Sequence, residues 1–212
     1  MKIGIIGASG KAGSLIMKEA INRGHEVTAI VRNASKITET NVNVLEKNIF
    51  NLTASELRLF DVVVNTFSAP VGEEHLYIES GRILVQALKD APDTKLIVVG
   101  GSGSLFVDEE KTTKLMDTPD FPVLFYPISS NSSKQLVELQ NTNLITWTYI
   151  SLLVFLTQKE KERSYKVGKD HVILNSKGQS YISYADFAIA LVDEIEKPQH
   201  VNERFTLVGE AE

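Results

Sequence analysis

M-K-I-G-I-I-G-A-S-G-K-A-G-S-L-I-M-K-E-A-I-N-R-G-H-E-V-T-A-I-V-R-N-A-S-K, residues 1–36, decides how the rest of the chain is read. An apolar run at 3–6 leads into three glycines spaced by three, Gly7, Gly10 and Gly13. A helical spacing over 12–23 follows, with Leu15, Ile16, Glu19 and Ala20 on related turns, until Gly24 and His25 break it. A second apolar run at 27–31 ends at Arg32. Strand, glycine turn, helix and strand in this order make the first half of a dinucleotide-binding unit.

The residue types fit that chemistry. A strand turning directly into a helix aims unpaired backbone N–H groups at one spot, and the helix dipole adds partial positive charge there. Gly7 permits the tight turn, Gly10 lets backbone approach a pyrophosphate, and Gly13 lets the helix pack close to the strand. The whole segment Gly7, Ala8, Ser9, Gly10, Lys11, Ala12 and Gly13 is therefore assigned to the pyrophosphate. Ser9 can donate a hydroxyl; Lys11 either lies over the anion or points to solvent.

The end of the second strand discriminates between cofactors. NAD enzymes place an acid about 20 residues past the glycines to take the ribose 2′-hydroxyl. Here Arg32 stands there, with Asn33, Ser35 and Lys36 beside it. A guanidinium with extra donors suits a 2′-phosphate, so NADP(H) is expected, with NAD(H) as the alternative if Arg32 only stacks on an adenine.

Composition sets outer bounds. The 212 residues, 43% of them hydrophobic, suffice for one full core, and one domain over 1–212 is expected. A net charge of −5 without a basic block argues against nucleic acid. With no cysteine there are no disulfides, thiol catalysis or zinc–thiolate sites. No apolar stretch is long enough for a membrane span, and the first strand begins at once, so a cytoplasmic protein is expected. The four histidines are scattered, and no metal site is expected.

Further along, short strands are expected at 42–45, 62–64 and 96–99. A short helical piece at 52–59 has Thr53 and Glu56 at capping-box spacing. A helix is expected over 73–91, ended by Pro92. Asn65, Thr66, Phe67 and Ser68 fall at a strand's carboxyl end, where open α/β sheets bind ligands. So do Gly101 and Ser102, in a run of small residues expected near the nicotinamide. Residues 105–130 read as an irregular substrate-side loop or lid. A helix over 132–140, a strand at 145–150 extended through 151–156, and a β pair of 163–167 with 171–174 come next. Ser183, with Asp186 three residues on, caps the last long helix, and a final strand covers 204–208. The alternation gives an α/β, mostly parallel, doubly wound sheet, with residues from about 151 to 212 forming a small capping subdomain on the substrate side.

Acid–base candidates are few. Tyr165 and Lys169 have the Y-x-x-x-K spacing, which works when both side chains share a helix face; here the segment reads as strand and turn, so the match is a decoy. The helix that should hold such a pair has Lys134 but Ser130 four residues before it. Ser102 and Lys134 remain as weak catalytic candidates. Hydride transfer to a conjugated acceptor needs mainly orientation and proximity, and solvent can supply the proton.

With these residues in place, the chain resembles the atypical short-chain dehydrogenase/reductase group. More closely it is similar to small NAD(P)H-binding proteins of the NADH-flavin reductase type, related to biliverdin reductase B and NmrA-like regulators. The resemblance is carried by G-A-S-G-K-A-G at 7–13, V-R-N at 31–33, V-V-V-G-G-S-G-S-L at 97–105, D-T-P-D-F-P at 117–122, the 181–200 stretch and R-F-T at 204–206. It implies a Rossmann-type fold and a reductase passing hydride from NADPH to a flavin, quinone or similar planar acceptor, as a monomer or homodimer. The alternative it implies is a non-catalytic NADP(H) sensor of the NmrA-like type. Two departures stand out. Relatives often carry an Asp near the adenine after the third strand, where this chain has Lys47 and Asn48; Asn48 is taken as the adenine-side contact. A proline turn common after the sixth strand is replaced by S-L-L-V-F at 151–155.

Overall fold

The structure is a computed structural model that describes residues 1–152, 155–157 and 164–210. In chain order the elements are β1 (Lys2–Ile6), α1 (Lys11–Asn22), β2 (Glu26–Val31), β3 (Asn43–Glu46), α2 (Ala54–Leu57), β4 (Val62–Asn65), α3 (Leu76–Leu88), β5 (Lys95–Gly101), α4 (Tyr126–Gln140), β6 (Trp147–Leu152), β7 (Phe155–Thr157), β8 (Tyr165–Gly168), β9 (Tyr181–Ser183), α5 (Tyr184–Glu196) and β10 (Glu203–Gly209).

Eight strands form one sheet in the order β3-β2-β1-β4-β5-β6-β10-β8. All neighbours are parallel except β10 and β8. The first six strands have the order of a dinucleotide-binding sheet, in which the direction of winding reverses between β1 and β4. The buried strands are continuous apolar runs, as parallel strands covered on both faces require. Ile3, Ile5, Val62, Val64 and Ile150 face one side with α1 and α5; Ile6, Val63, Leu96, Val98 and Tyr149 face the other with α3 and α4.

Several boundaries differ from the sequence expectation. α4 starts at Tyr126, six residues early, because Pro127 occupies the first turn, where its fixed φ and missing N–H are favourable. The 105–130 segment is tethered as well as irregular: Phe106 bridges both Lys114 and His171, and Val172 N donates to Phe106 O at 2.9 Å. The expected β pair of 163–167 with 171–174 does not form among the described residues. β8 instead pairs antiparallel with β10, Val167 opposite Leu207, because the β10 edge offers a longer ladder than the Gly168–Asp170 turn. Arg163, Leu153 and Val154 lie outside the described residues. β7 and β9 make a small separate parallel pair.

Candidate functional site

The site lies along the carboxyl ends of β1 to β5, five adjacent strands. The turn after β1 is built by backbone constraints. Gly7 has φ +78°, and a Cβ there would lie 2.8 Å from Thr66 Oγ1. Gly10 N donates to Gly7 O at 2.9 Å, closing the turn. A Cβ on Gly13 would sit 2.4 Å from Gly7 O, so this glycine is what lets α1 approach the strand. Ala8 is fully buried in the α1–α5 core, whereas Ser9, Gly10 and Lys11 are exposed and Ala12 is half-buried. The first turn of α1 carries no acid, and Gly10 offers no side-chain cap, so the opening N–H groups of the helix are left to an external anion. This cradle, which any Cβ would fill, fits a pyrophosphate.

Next to it is a cleft of about 340 Å³ lined by Gly7, Ser9, Gly10, Val31, Arg32, Lys47, Asn48, Phe50, Thr66, Phe67, Ser68 and Leu76, among others. Eight of the sequence-derived cofactor residues therefore meet here. Thr66 is fixed by its N and Oγ1, both donating to Ile6 O, at 3.0 and 2.7 Å. Asn65 Oδ1 accepts from Phe67 N at 3.0 Å and turns the chain over the cleft. Phe67 stands edge-on between Phe50 (5.7 Å) and Tyr77 (6.0 Å), and Ser68 Oγ lies 3.3 Å from Tyr77 Oη. The sequence reading missed Phe50 and Tyr77, since an aromatic in a short 3-10 turn or a helix reads as core.

Arg32 is exposed and has no ion pair among the described residues, so its guanidinium is free for a ligand. Asn33 and Asn48 do local work instead. Asn33 Oδ1 accepts from Ser35 N (2.9 Å) and Ser35 Oγ (2.7 Å), and Asn48 Oδ1 accepts from Phe50 N at 3.2 Å. Lys36 is exposed at the end of the Ala34–Lys36 turn, outside the cleft lining. Lys47 is engaged by Glu56 at 2.5 Å; burial works against the Glu56 charge, but its bonds from Lys47 and Thr53 hold its pKa below the ordinary value.

Gly101 and Ser102 lie beyond this cleft, at the end of β5 and in the turn Ser102–Ser104. A Cβ on Gly101 would meet nothing within 4 Å, whereas Ser102 is buried. The turn is pinned by Arg204 of β10, whose Nη1 donates to Ser104 O and Oγ, both at 3.0 Å, while Nη2 donates to Asp170 Oδ1 at 2.8 Å. Lys111 Nζ reaches the other Asp170 oxygen at 2.8 Å. Only R-F-T at 204–206 hinted at Arg204, a buried charge in a strand whose other buried side chains are mostly apolar.

The acid–base candidates are not brought together. Lys134 is exposed on α4 whereas Ser102 is buried, and no hydrogen bond joins them among the described residues. Tyr165 Oη donates to Asp193 at 2.6 Å, and burial and this bond both raise its pKa; Lys169 Nζ pairs with Glu203 at 2.9 Å. The Y-x-x-x-K match is thus divided between two structural ion networks. Among the described residues no three His, Asp or Glu side chains gather as a metal site would need, and no helix is long and apolar enough to cross a membrane.

Comparison with known proteins agrees with this geometry. The NAD(P)H-binding family model matches residues 7–198. The uncharacterized protein YwnB of Bacillus subtilis is 61% identical over 213 residues, with 100% of each chain covered. The solved structure of a proposed NADH-flavin reductase from Streptococcus pneumoniae superimposes with a TM-score of 0.94 at 42% identity, covering 99% of this chain and 100% of that one. ChuY, an anaerobillin reductase from Escherichia coli O157:H7, has a TM-score of 0.75 over 99% of this chain and 97% of its own, and at 15% identity shares the fold alone. The glycine cradle, the strand order and these matches together place the chain in the NAD(P)H-binding family, within the atypical short-chain dehydrogenase/reductase group.

Proposed function

We propose that the protein is an NADPH-dependent reductase of a flavin, quinone or similar planar acceptor, working as one domain over 1–212 with the 151–212 part on the substrate side. The observation that carries this is a cofactor cleft with no Tyr–Lys pair beside it among the described residues. When bound, a reduced nicotinamide supplies the hydride. Gly7, Ser9, Gly10 and the first N–H groups of α1 hold the pyrophosphate, with Ala8, Ala12 and Gly13 shaping the turn. Lys11 adds positive charge at its rim. Arg32, with Lys36 and the Asn33 turn, receives a 2′-phosphate. Asn48, Thr66, Phe67 and Ser68 bound the adenosine side, and Phe67 supplies an apolar wall. Gly101 leaves room for a flat ring to approach, and the Arg204 clamp keeps the Ser102–Ser104 turn in place. Reduction of such an acceptor needs orientation and proximity from these groups, and its proton comes from solvent. The likeness to the Streptococcus pneumoniae protein supports a flavin as acceptor.

The same missing dyad favours a second reading, a non-catalytic NADP(H) sensor whose partner binding follows the cofactor's redox state. Steady-state oxidation of NADPH with FMN, riboflavin and soluble quinones separates the two. Turnover above the cofactor-free background supports the reductase. Tight binding of both redox forms with no turnover across the panel rejects it in favour of the sensor. Titration with NADPH and NADH tests the cofactor assignment: Arg32→Ala is expected to weaken NADPH by about 1–3 kcal/mol, the scale of a lost charge-assisted hydrogen bond, and to leave NADH nearly unchanged.

A further inference from the structure

The end of β2 lacks the acid that would take a ribose 2′-hydroxyl, but the fold brings one from the neighbouring strand. In the β2–β3 ladder Val31 stands opposite Glu46, the last residue of β3. Val31, the following Arg32 and Lys47, the residue after Glu46, all line the adenosine cleft. The Glu46 carboxylate reaches the turn just past Arg32, where Oε2 accepts from Ala34 N at 2.7 Å. Among the described residues Glu46 forms no ion pair, and its neighbour Lys47 is already engaged by Glu56. Arg32 has no ion pair either. Two charges of opposite sign without an ion-pair partner thus stand at the ends of adjacent strands, Arg32 in the cleft lining and Glu46 one residue before the cleft-lining Lys47, bonded to the turn that follows Arg32.

We infer that Glu46 is a specificity-determining residue for the cofactor, the hydroxyl-reading counterpart of Arg32. This rests on the nicotinamide-cofactor reading above and deepens it. With NADH, one Glu46 oxygen keeps the Ala34 N–H and the other accepts from the ribose 2′-hydroxyl, the bond an acid at the end of β2 makes elsewhere. With NADPH, the same carboxylate faces the 2′-phosphate as a like charge, partly offsetting the attraction of Arg32. Preference between the two cofactors is therefore set by a pair of residues from adjacent strands, and Glu46 narrows the preference for NADPH that Arg32 creates.

The test is a fluorescence titration of the full chain with NADH and with NADPH, for wild type, Glu46→Gln and Glu46→Ala. Both variants lie at an exposed position, and a far-UV spectrum and unfolding midpoint equal to wild type establish that they are folded. The expected result is a ratio of NADH to NADPH dissociation constants that rises about tenfold in each variant, through weaker NADH, tighter NADPH or both. A ratio within twofold of wild type, with both cofactors still binding, overturns the role of Glu46. If wild type binds neither cofactor, the underlying cofactor reading fails instead.

Discussion

At the scale of single residues, what distinguishes the site is where a side chain is forbidden. A Cβ at Gly13 would meet Gly7 O at 2.4 Å and Ala8 Cα at 2.9 Å, both backbone atoms of the turn that the site is built on. Neither can yield without moving α1 off β1. Gly13→Ala is therefore expected to destabilise by about 1–3 kcal/mol, the range for overpacking a close contact, and to weaken NADPH and NADH alike. Urea unfolding and cofactor titration check this. Gly101 provides the contrast, since a Cβ there meets nothing; Gly101→Ala should hold stability within about 0.5 kcal/mol of wild type. The turn at Gly7 and the close packing at Gly13 were legible in the sequence because their spacing follows backbone geometry alone. Others were not. Nothing in N-V-L-E-K-N shows that Glu46 bonds the Ala34 N–H, since that depends on which strands are neighbours.

At the scale of elements, helices were readable by their caps and strands by their apolar runs. The Thr53–Glu56 capping box and the Ser183 cap are both present where their spacing put them. The start of α4 was misplaced because prolines at 119, 122 and 127 read as loop, although the third of them is at home in a first helical turn. The partner of β8 could not be read at all, because a strand's local pattern does not encode whose edge it joins. The Ser183 cap carries a prediction. Ser183 Oγ accepts from Asp186 N at 2.9 Å and donates to Asp186 Oδ2 at 2.7 Å, and both residues are buried. Ser183→Ala removes an orphan donor's partner at the head of α5, the helix that packs on α1 beneath the cofactor turn. A loss of about 1–2 kcal/mol is expected in urea unfolding, at the upper end for caps because water cannot replace the hydroxyl there. Cofactor dissociation constants should stay within twofold of wild type, since Ser183 is not among the residues that line the cofactor cleft.

At the scale of the whole molecule, a mostly parallel, doubly wound sheet followed from the βαβ alternation, whereas the strand order, the edge formed by the last two strands and the tether of 105–115 required coordinates. That tether converges on one carboxylate. Asp170 binds Arg204 of β10 and Lys111 of the 105–115 segment, and Arg204 in turn holds the turn after β5. Three stretches far apart in sequence, 102–115, Asp170 and Arg204, are joined there. The Arg204 side chain is 3% exposed and Asp170 30%, so removing the acid leaves a buried cation with no counter-charge, held by the Ser104 oxygens and a longer bond to the residue-170 carbonyl. Asp170→Ala is expected to lose about 3 kcal/mol at pH 7, the lower end for breaking a buried pair because Asp170 is partly solvated. The pH dependence has a definite sign. Burial works against the Asp170 charge, but the hydrogen bonds from Lys111 and Arg204 outweigh it and hold its pKa below the ordinary carboxylate value. A depressed folded pKa contributes stability that is full above the unfolded value, about pH 4, and that is lost as pH falls through the folded value. Wild type should therefore lose stability more steeply than Asp170→Ala below about pH 4, and the gap between them should close as acid is added. Unfolding midpoints measured from pH 7 down to the acid limit decide it: a gap that stays constant across that range would mean that Asp170 holds the three stretches by packing and not by charge.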